Sequence, residues 1–228
     1  MTSSSHGKSR PGDLYKVGRM QRLVLFDMDN TLIDLDGAFG AWAAEFADVH
    51  GLGDDGVRWL VDLDIPHRDL MFRWIKYHFD LAASAEELWA GYRARMPHLV
   101  RCRPEVLAML ARLRGGGWKV GIVANGMADN QLGKLRATGL ADAVDGFAVA
   151  GVEGIRKPDV ALFEIAASRC GVPLAGGGWM VGDNSVADIE GGRAAGLRTI
   201  WVTREPHGSG ADHIVADVLE SEALISGD

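Results

Sequence analysis

The chain has 228 residues, of which 47% are hydrophobic and 24% charged, with a formal net charge of −7. This supplies a full apolar core, so wholesale disorder is excluded, and the length suits one large domain or a core with a smaller insert. The acidic balance argues against a nucleic-acid partner bound through its phosphates, and no apolar run approaches the ~18 residues of a membrane span.

Residues 1–19 (MTSSSHGKSRPGDLYKVGR) are polar and lack the apolar stretch of a secretory signal. They are expected to form a flexible tail, with Met20 an alternative start. The run Leu23-Val24-Leu25-Phe26 then predicts a strand over 21–27, buried on both faces as in a parallel sheet. It leads directly into Asp27-Met28-Asp29-Asn30-Thr31. At the carboxyl edge of a parallel sheet the backbone leaves the core and can present groups to a ligand. Asp27 and Asp29 are therefore placed to bind a divalent cation, attack an electrophile or exchange a proton. An Asx turn at a strand end is the bland alternative.

From Asp36 the period becomes helical. Phe39, Trp42, Ala43, Phe46 and Val49 share one face. A second helix is predicted over 54–63, with Val57, Leu60 and Val61 apolar. A third follows Pro66, repeating Leu70, Met71, Trp74, Ile75 and His78, and a fourth opens on the capping box Ser84-x-x-Glu87. Residues 36–100 thus read as an all-helical insert, dividing a core of 20–35 and 101–228. Leaving from the sheet edge that carries the aspartates, this insert is expected to stand over them as a lid. It offers Arg58, Trp59, His67, Arg68, Arg73, Trp74, Lys76 and Tyr77. Trp59 and Trp74 read first as cap core and the basic residues as a solvated face; any that point at the cleft would favour a substrate with extra negative charge or an aromatic base. His67 and His78 lack a zinc-ligand pattern.

Pro104 opens a helix that Gly115-Gly116-Gly117 ends. Strands at 118–124, 147–150, 178–182, 198–202 and 213–216 then alternate with helices at 129–138, 158–170, 185–195 and 217–225. This alternation predicts an α/β fold, a doubly wound parallel sheet with helices on both faces. Cys102 and Cys170 have no C-x-x-C spacing and read as reduced core thiols. Three further strand ends carry polar groups: Asn125-Gly126, Arg156-Lys157-Pro158-Asp159, and Asp183-Asn184 with Asp188. A parallel sheet places all of them on the edge that bears Asp27 and Asp29.

This ordered set resembles the haloacid dehalogenase superfamily, in its phosphatase branch with a helical cap of the C1 type. Asp27-Met28-Asp29-Asn30-Thr31 matches its first motif, Ala124-Asn125-Gly126 the second, Lys157 the third, and Gly182-Asp183 with Asp188-Ile189 the fourth. The resemblance runs from about residue 21 to 225 and implies a Rossmann-like core.

The resemblance also implies roles. Asp27 would be the nucleophile that forms an aspartyl-phosphate, and Asp29 the acid and base toward leaving group and water. Lys157 and Asn125 would hold the phosphoryl group. Mg²⁺ would be held by Asp27, the Asp29 backbone carbonyl and Asp183, with Asp188 and Thr31 in support or Asp188 a further ligand. The family's dehalogenases lack the second acid, so Asp29 with Asp183 favours phosphoryl transfer over carbon–halogen cleavage. One position departs from the pattern: Ala124 stands where a Ser or Thr hydroxyl is usual. The implied function is a cytoplasmic Mg²⁺-dependent phosphomonoesterase, monomeric or homodimeric, acting on a small phosphorylated metabolite. Alternatives are a phosphomutase of the same family or, because of Ala124, a weakly active or non-catalytic phosphate-binding protein.

Overall fold

The structure, a computed structural model, describes residues 22–227 except 64, 66, 67, 207 and 209, and of Arg68 the backbone alone. The expected tail at 1–19, the Pro66 helix start and His67 lie outside the described residues. Six parallel strands form one sheet: β1 (Leu23–Phe26), β2 (Lys119–Ala124), β3 (Gly146–Val149), β4 (Trp179–Gly182), β5 (Arg198–Val202) and β6 (His213–Val215), in the order β3-β2-β1-β4-β5-β6. The order reverses at β1, so its carboxyl end lies at the switch point, where open α/β sheets bind ligands.

Strand pleating explains the near-continuous apolar runs. Val24 and Phe26 enter one core layer while Leu23 and Leu25 enter the other, and Trp179 and Val181 alternate with Met180 in the same way. Both faces of the central strands are covered, as parallel sheets require.

Between β1 and β2 lie α1 (Leu35–His50), α2 (Gly53–Val61), α3 (Arg68–His78), α4 (Ala85–Leu99) and α5 (Pro104–Gly115). The first four make the helical cap. Asp34 caps α1 by accepting from Gly37 N–H, and Ser84 and Glu87 cap each other's backbone at α4. The cap core is aromatic: the Trp42 ring contacts those of Phe39, Phe46, Phe72 and Tyr92. The cap's apolar faces are narrower than the sequence period suggests. Val49 is exposed at the end of α1, and Val61, Leu70 and Trp74 are exposed, while Met71, Phe72 and Ile75 are fully buried. The buried side of α3 is thus rotated by about one residue from the expected stripe.

The helix after β2, α6 (Ala128–Ala137), packs directly on α4. Gly133 permits this approach, since a Cβ there would sit 2.7 Å from Cγ of Pro97. Two other boundaries differ from expectation. The helix expected to start at Pro158 runs over Val160–Arg169, because Asp159 is its N-cap and accepts from Ala161 N–H. The helix expected over 185–195 begins instead as a wide π-turn at Ser185–Glu190, followed by Gly191–Ala194. No described helix is long and apolar enough to cross a membrane.

Candidate active site

At the carboxyl ends of β1 and β4, the chain gathers four charged side chains from three distant segments. Lys157 Nζ donates to Asp27 Oδ1 at 2.5 Å and to Asp188 Oδ1 at 2.7 Å. Asp27, Asp183 and Asp188 each bring a carboxylate oxygen within 4.8 Å of the others. Lys157 and Asp188 are almost fully buried, at 3% and 0% exposure.

Each group is held by local structure. Asp27 continues β1 by donating its N–H to Val181 O at 2.8 Å. Asp183 follows β4 directly, and its carbonyl accepts from Trp201 Nε1 at 2.7 Å. The π-turn accounts for Asp188: Asn184 O accepts from both Asp188 and Ile189 N–H, and the widened turn returns the Asp188 carboxylate to Asn184 N–H at 3.0 Å. Single π-turns of this kind often mark functional sites. Gly182 is required at the end of β4, because a Cβ there would collide with the Asp188 carboxylate.

The Asn125 side chain is engaged with the Lys157 backbone. Its amide donates to Lys157 O at 3.2 Å and its Oδ1 accepts from Lys157 N–H at 2.9 Å, so it clamps the backbone that carries the buried ammonium. Asp29 is not one of the three carboxylates that come within 4.8 Å of one another; both its oxygens accept from Lys134 Nζ, at 2.8 and 2.9 Å, with Gln131 Nε2 on Oδ2 at 2.9 Å. Thr31 is buried, and its hydroxyl has no partner among the described residues, so it orients none of these carboxylates.

Charge decides what the trio can hold. Fully ionised, three carboxylates against one ammonium would leave two negative charges in a largely buried place, and hard oxygen donors suit Mg²⁺. Burial pushes the Asp27 carboxyl well above its ordinary value, with Lys157 opposing and the neighbouring Asp188 adding. Burial would push the Lys157 ammonium down, but Asp188 and Asp27 outweigh it and hold Lys157 above the usual lysine value. Burial and then Asp188 push Asp183 up to about 7.

A carboxyl raised in the folded state binds its proton more tightly there than in the unfolded chain. Without divalent cation, stability is therefore expected to fall as pH rises from about 4 to about 7, lowering Tm by roughly 5 °C. Added Mg²⁺ should reverse that fall at pH 7.5 and do little at pH 4.5. Melting curves at the two pH values, with and without Mg²⁺, check this.

A cavity of about 510 Å³ opens between cap and core, lined among others by Asp29, Asn125, Trp89, Tyr92, Arg93 and Lys134. The cap residues that reach it are Leu35 at the start of α1, Asp69, and Trp89, Tyr92 and Arg93 of α4. Of the sequence candidates, Arg58 pairs with Asp55, Trp59 stacks on His78, Lys76 donates to Leu81 O, and Trp74 and Tyr77 face solvent. Arg93 instead lies 4.4 Å over the Trp89 ring and bonds Asp129 at the start of α6 at 2.9 Å. Gln131 and Lys134 escaped sequence reasoning. Their one available signal is the three-residue spacing that sets both on the face of α6 beside buried Leu135.

The family model of haloacid dehalogenase-like hydrolases matches residues 21–196. Among curated proteins, a pyrimidine 5'-nucleotidase of Escherichia coli is 33% identical over 54% of this chain and 56% of its own length. A phosphoserine phosphatase of Thermus thermophilus is 41% identical over 44% of this chain and 40% of its own. The chain thus spans about half the length of these relatives. Among solved structures, a phosphatase of Thermococcus onnurineus superposes with a TM-score of 0.66 at 27% identity, covering 91% of this chain and 99% of that one.

Proposed function

This chain belongs to the haloacid dehalogenase-like hydrolases, and from that premise we propose that it is a Mg²⁺-dependent phosphomonoesterase acting on a small phosphorylated metabolite. The observation that carries the reading is the convergence of Asp27, Lys157, Asp183 and Asp188 next to a cavity that Asp29 lines. Relatives that are phosphatases by name support the same reaction class.

The carboxylates of Asp27, Asp183 and Asp188, together with the Asp29 backbone carbonyl, would hold Mg²⁺, which when bound neutralises charge and polarises phosphoryl oxygens. Asp27 attacks phosphorus, forming an aspartyl-phosphate as the P–O bond to the alcohol breaks. Lys157 meets the negative charge that gathers on the phosphoryl oxygens without rearranging. Asp29 gives a proton to the leaving alkoxide, then takes one from the water that cleaves the acyl phosphate. The non-phosphate part of the substrate lies in the cavity, against Trp89, Tyr92 and Arg93.

Ala124 ends β2 beside this site and is buried. Its methyl group cannot donate to a phosphoryl oxygen. Ala124→Thr is therefore expected to raise kcat ~10- to 10²-fold, the range over which one such donor acts. The test is phosphate release across a panel of phosphate esters, with Mg²⁺ and with chelator, for both forms of the protein. Release from no ester by either form rejects the phosphatase reading. Ligand-induced stabilisation by phosphate without turnover would point to the binding protein instead.

A further inference from the structure

Lys134 is a buried ammonium for which the proposed chemistry has no use. Its side chain is 3% exposed, and its ion-pair partner is Asp29. Taking an ammonium out of water costs several kcal/mol, and an apolar residue there would pack α6 without that cost, as buried Leu135 does next to it. Lys134 is therefore poorly explained by stability alone.

Its geometry gives a better account. Lys134 Nζ bridges both oxygens of Asp29, at 2.8 and 2.9 Å. Gln131, three residues earlier on the same helix, donates to Asp29 Oδ2 at 2.9 Å and also to the backbone carbonyl of Asn125. Asn125 in turn fixes the backbone of Lys157. A carboxylate held at both oxygens keeps one orientation. Here Asp29 lines the cavity and stays outside the cluster of Asp27, Asp183 and Asp188. Unheld, Asp29 sits two residues from Asp27, and its carboxylate could turn toward any cation bound by the trio and be tied up there as a further ligand.

We propose that Lys134, seconded by Gln131, is a positioning residue: it keeps Asp29 turned to the leaving-group side and away from the cation-binding carboxylates. This rests on the reading of Asp29 as the proton-transfer group. Lys134 touches neither the phosphoryl group nor the cation, and acts only through Asp29.

The test is a double-mutant cycle in the full-length protein with Mg²⁺, measuring kcat and KM for 4-nitrophenyl phosphate and for glycerol phosphate. Lys134→Met is expected to lower kcat ~10- to 10²-fold, with KM changing less than about twofold, and Lys134→Arg to restore most of the loss. The decisive arm is Lys134→Met combined with Asp29→Asn, expected to be no slower than Asp29→Asn alone, because residues acting as a unit are not additive. Losses that multiply in the double variant, a loss carried by KM, or a folded Lys134→Met with wild-type kcat would each overturn the proposal. Should Lys134→Met fail to melt cooperatively, Gln131→Leu, which removes the other side-chain donor to Asp29, carries the same cycle. A wild type that hydrolyses no ester rejects the phosphatase reading and the positioning role with it, whereas turnover with multiplying losses rejects the positioning role alone.

Discussion

Asp27→Asn is expected to abolish turnover and leave the fold intact. The substitution keeps the shape of the side chain and removes the attacking oxygen anion, so no acyl phosphate forms. Loss of a covalent nucleophile elsewhere costs up to about 10⁶-fold in kcat, and ~10⁴-fold or more is the expectation here. Stability should move the other way. Asp27 is 7% exposed, and burial together with Asp188, Asp183 and Asp29 disfavours its charged form. An amide in its place removes one of three mutually repelling carboxylates, while Lys157 keeps its bond to Asp188 at 2.7 Å. Tm without divalent cation should therefore be unchanged or higher, and the shift on adding Mg²⁺ smaller, because one ligand is lost. Phosphate-release assays and melting curves on the same preparation test both halves. Activity within tenfold of wild type would remove Asp27 from the role of nucleophile.

The sheet and the helical insert were legible because they are written in periods. Four apolar residues before Asp27 predict a strand buried on both faces, and the repeat of glycine and polar residues after each later run predicts the strand ends. Parallel topology then puts Asp27, Lys157 and Asp183 on one edge without any contact information. What stayed hidden depends on side-chain direction. The spacing of Leu70 and Trp74 looks apolar, yet the cap core takes Phe72 beside Met71 and Ile75, since α3 turns its buried side toward Trp42 and Tyr92. The bond between Lys134 and Asp29 joins residues 105 positions apart. A lysine on an amphipathic helix reads as solvated unless its partners are known, and here α6 packs on α4 and Lys134 meets Asp29. The π-turn at Ser185–Glu190 was hidden for a similar reason: its sequence is helical, and the widening answers to the place Asp188 must reach.

Lys157→Met is expected to damage both catalysis and stability, in a way that separates this lysine from Asp27. The ammonium sits between Asp27 and Asp188 and is the one cation in bonding distance of either among the described residues. Its folded-state pKa lies above the ordinary lysine value, so its stabilising charge is fully present through neutral pH and lost only on strong alkalinisation. Removing it leaves buried carboxylates facing one another, which by the measure of broken buried pairs costs about 3–5 kcal/mol. The remaining carboxylates then have folded pKa values raised further above those of the unfolded chain. Stability of the variant should be retained at low pH and fall steeply as pH rises toward 7, more steeply than in the wild type. Mg²⁺ supplies positive charge to the same oxygens, so it should stabilise the variant by more than it stabilises the wild type. Turnover should fall ~10²- to 10³-fold even with saturating Mg²⁺, since the cation replaces the charge but not the donor aimed at the phosphoryl oxygens. Adding Asp27→Asn to this variant removes one repelling charge and should recover part of the lost Tm without recovering activity. A Lys157→Met protein as stable at pH 7.5 as at pH 5, in chelator, would contradict the electrostatic account of this cluster.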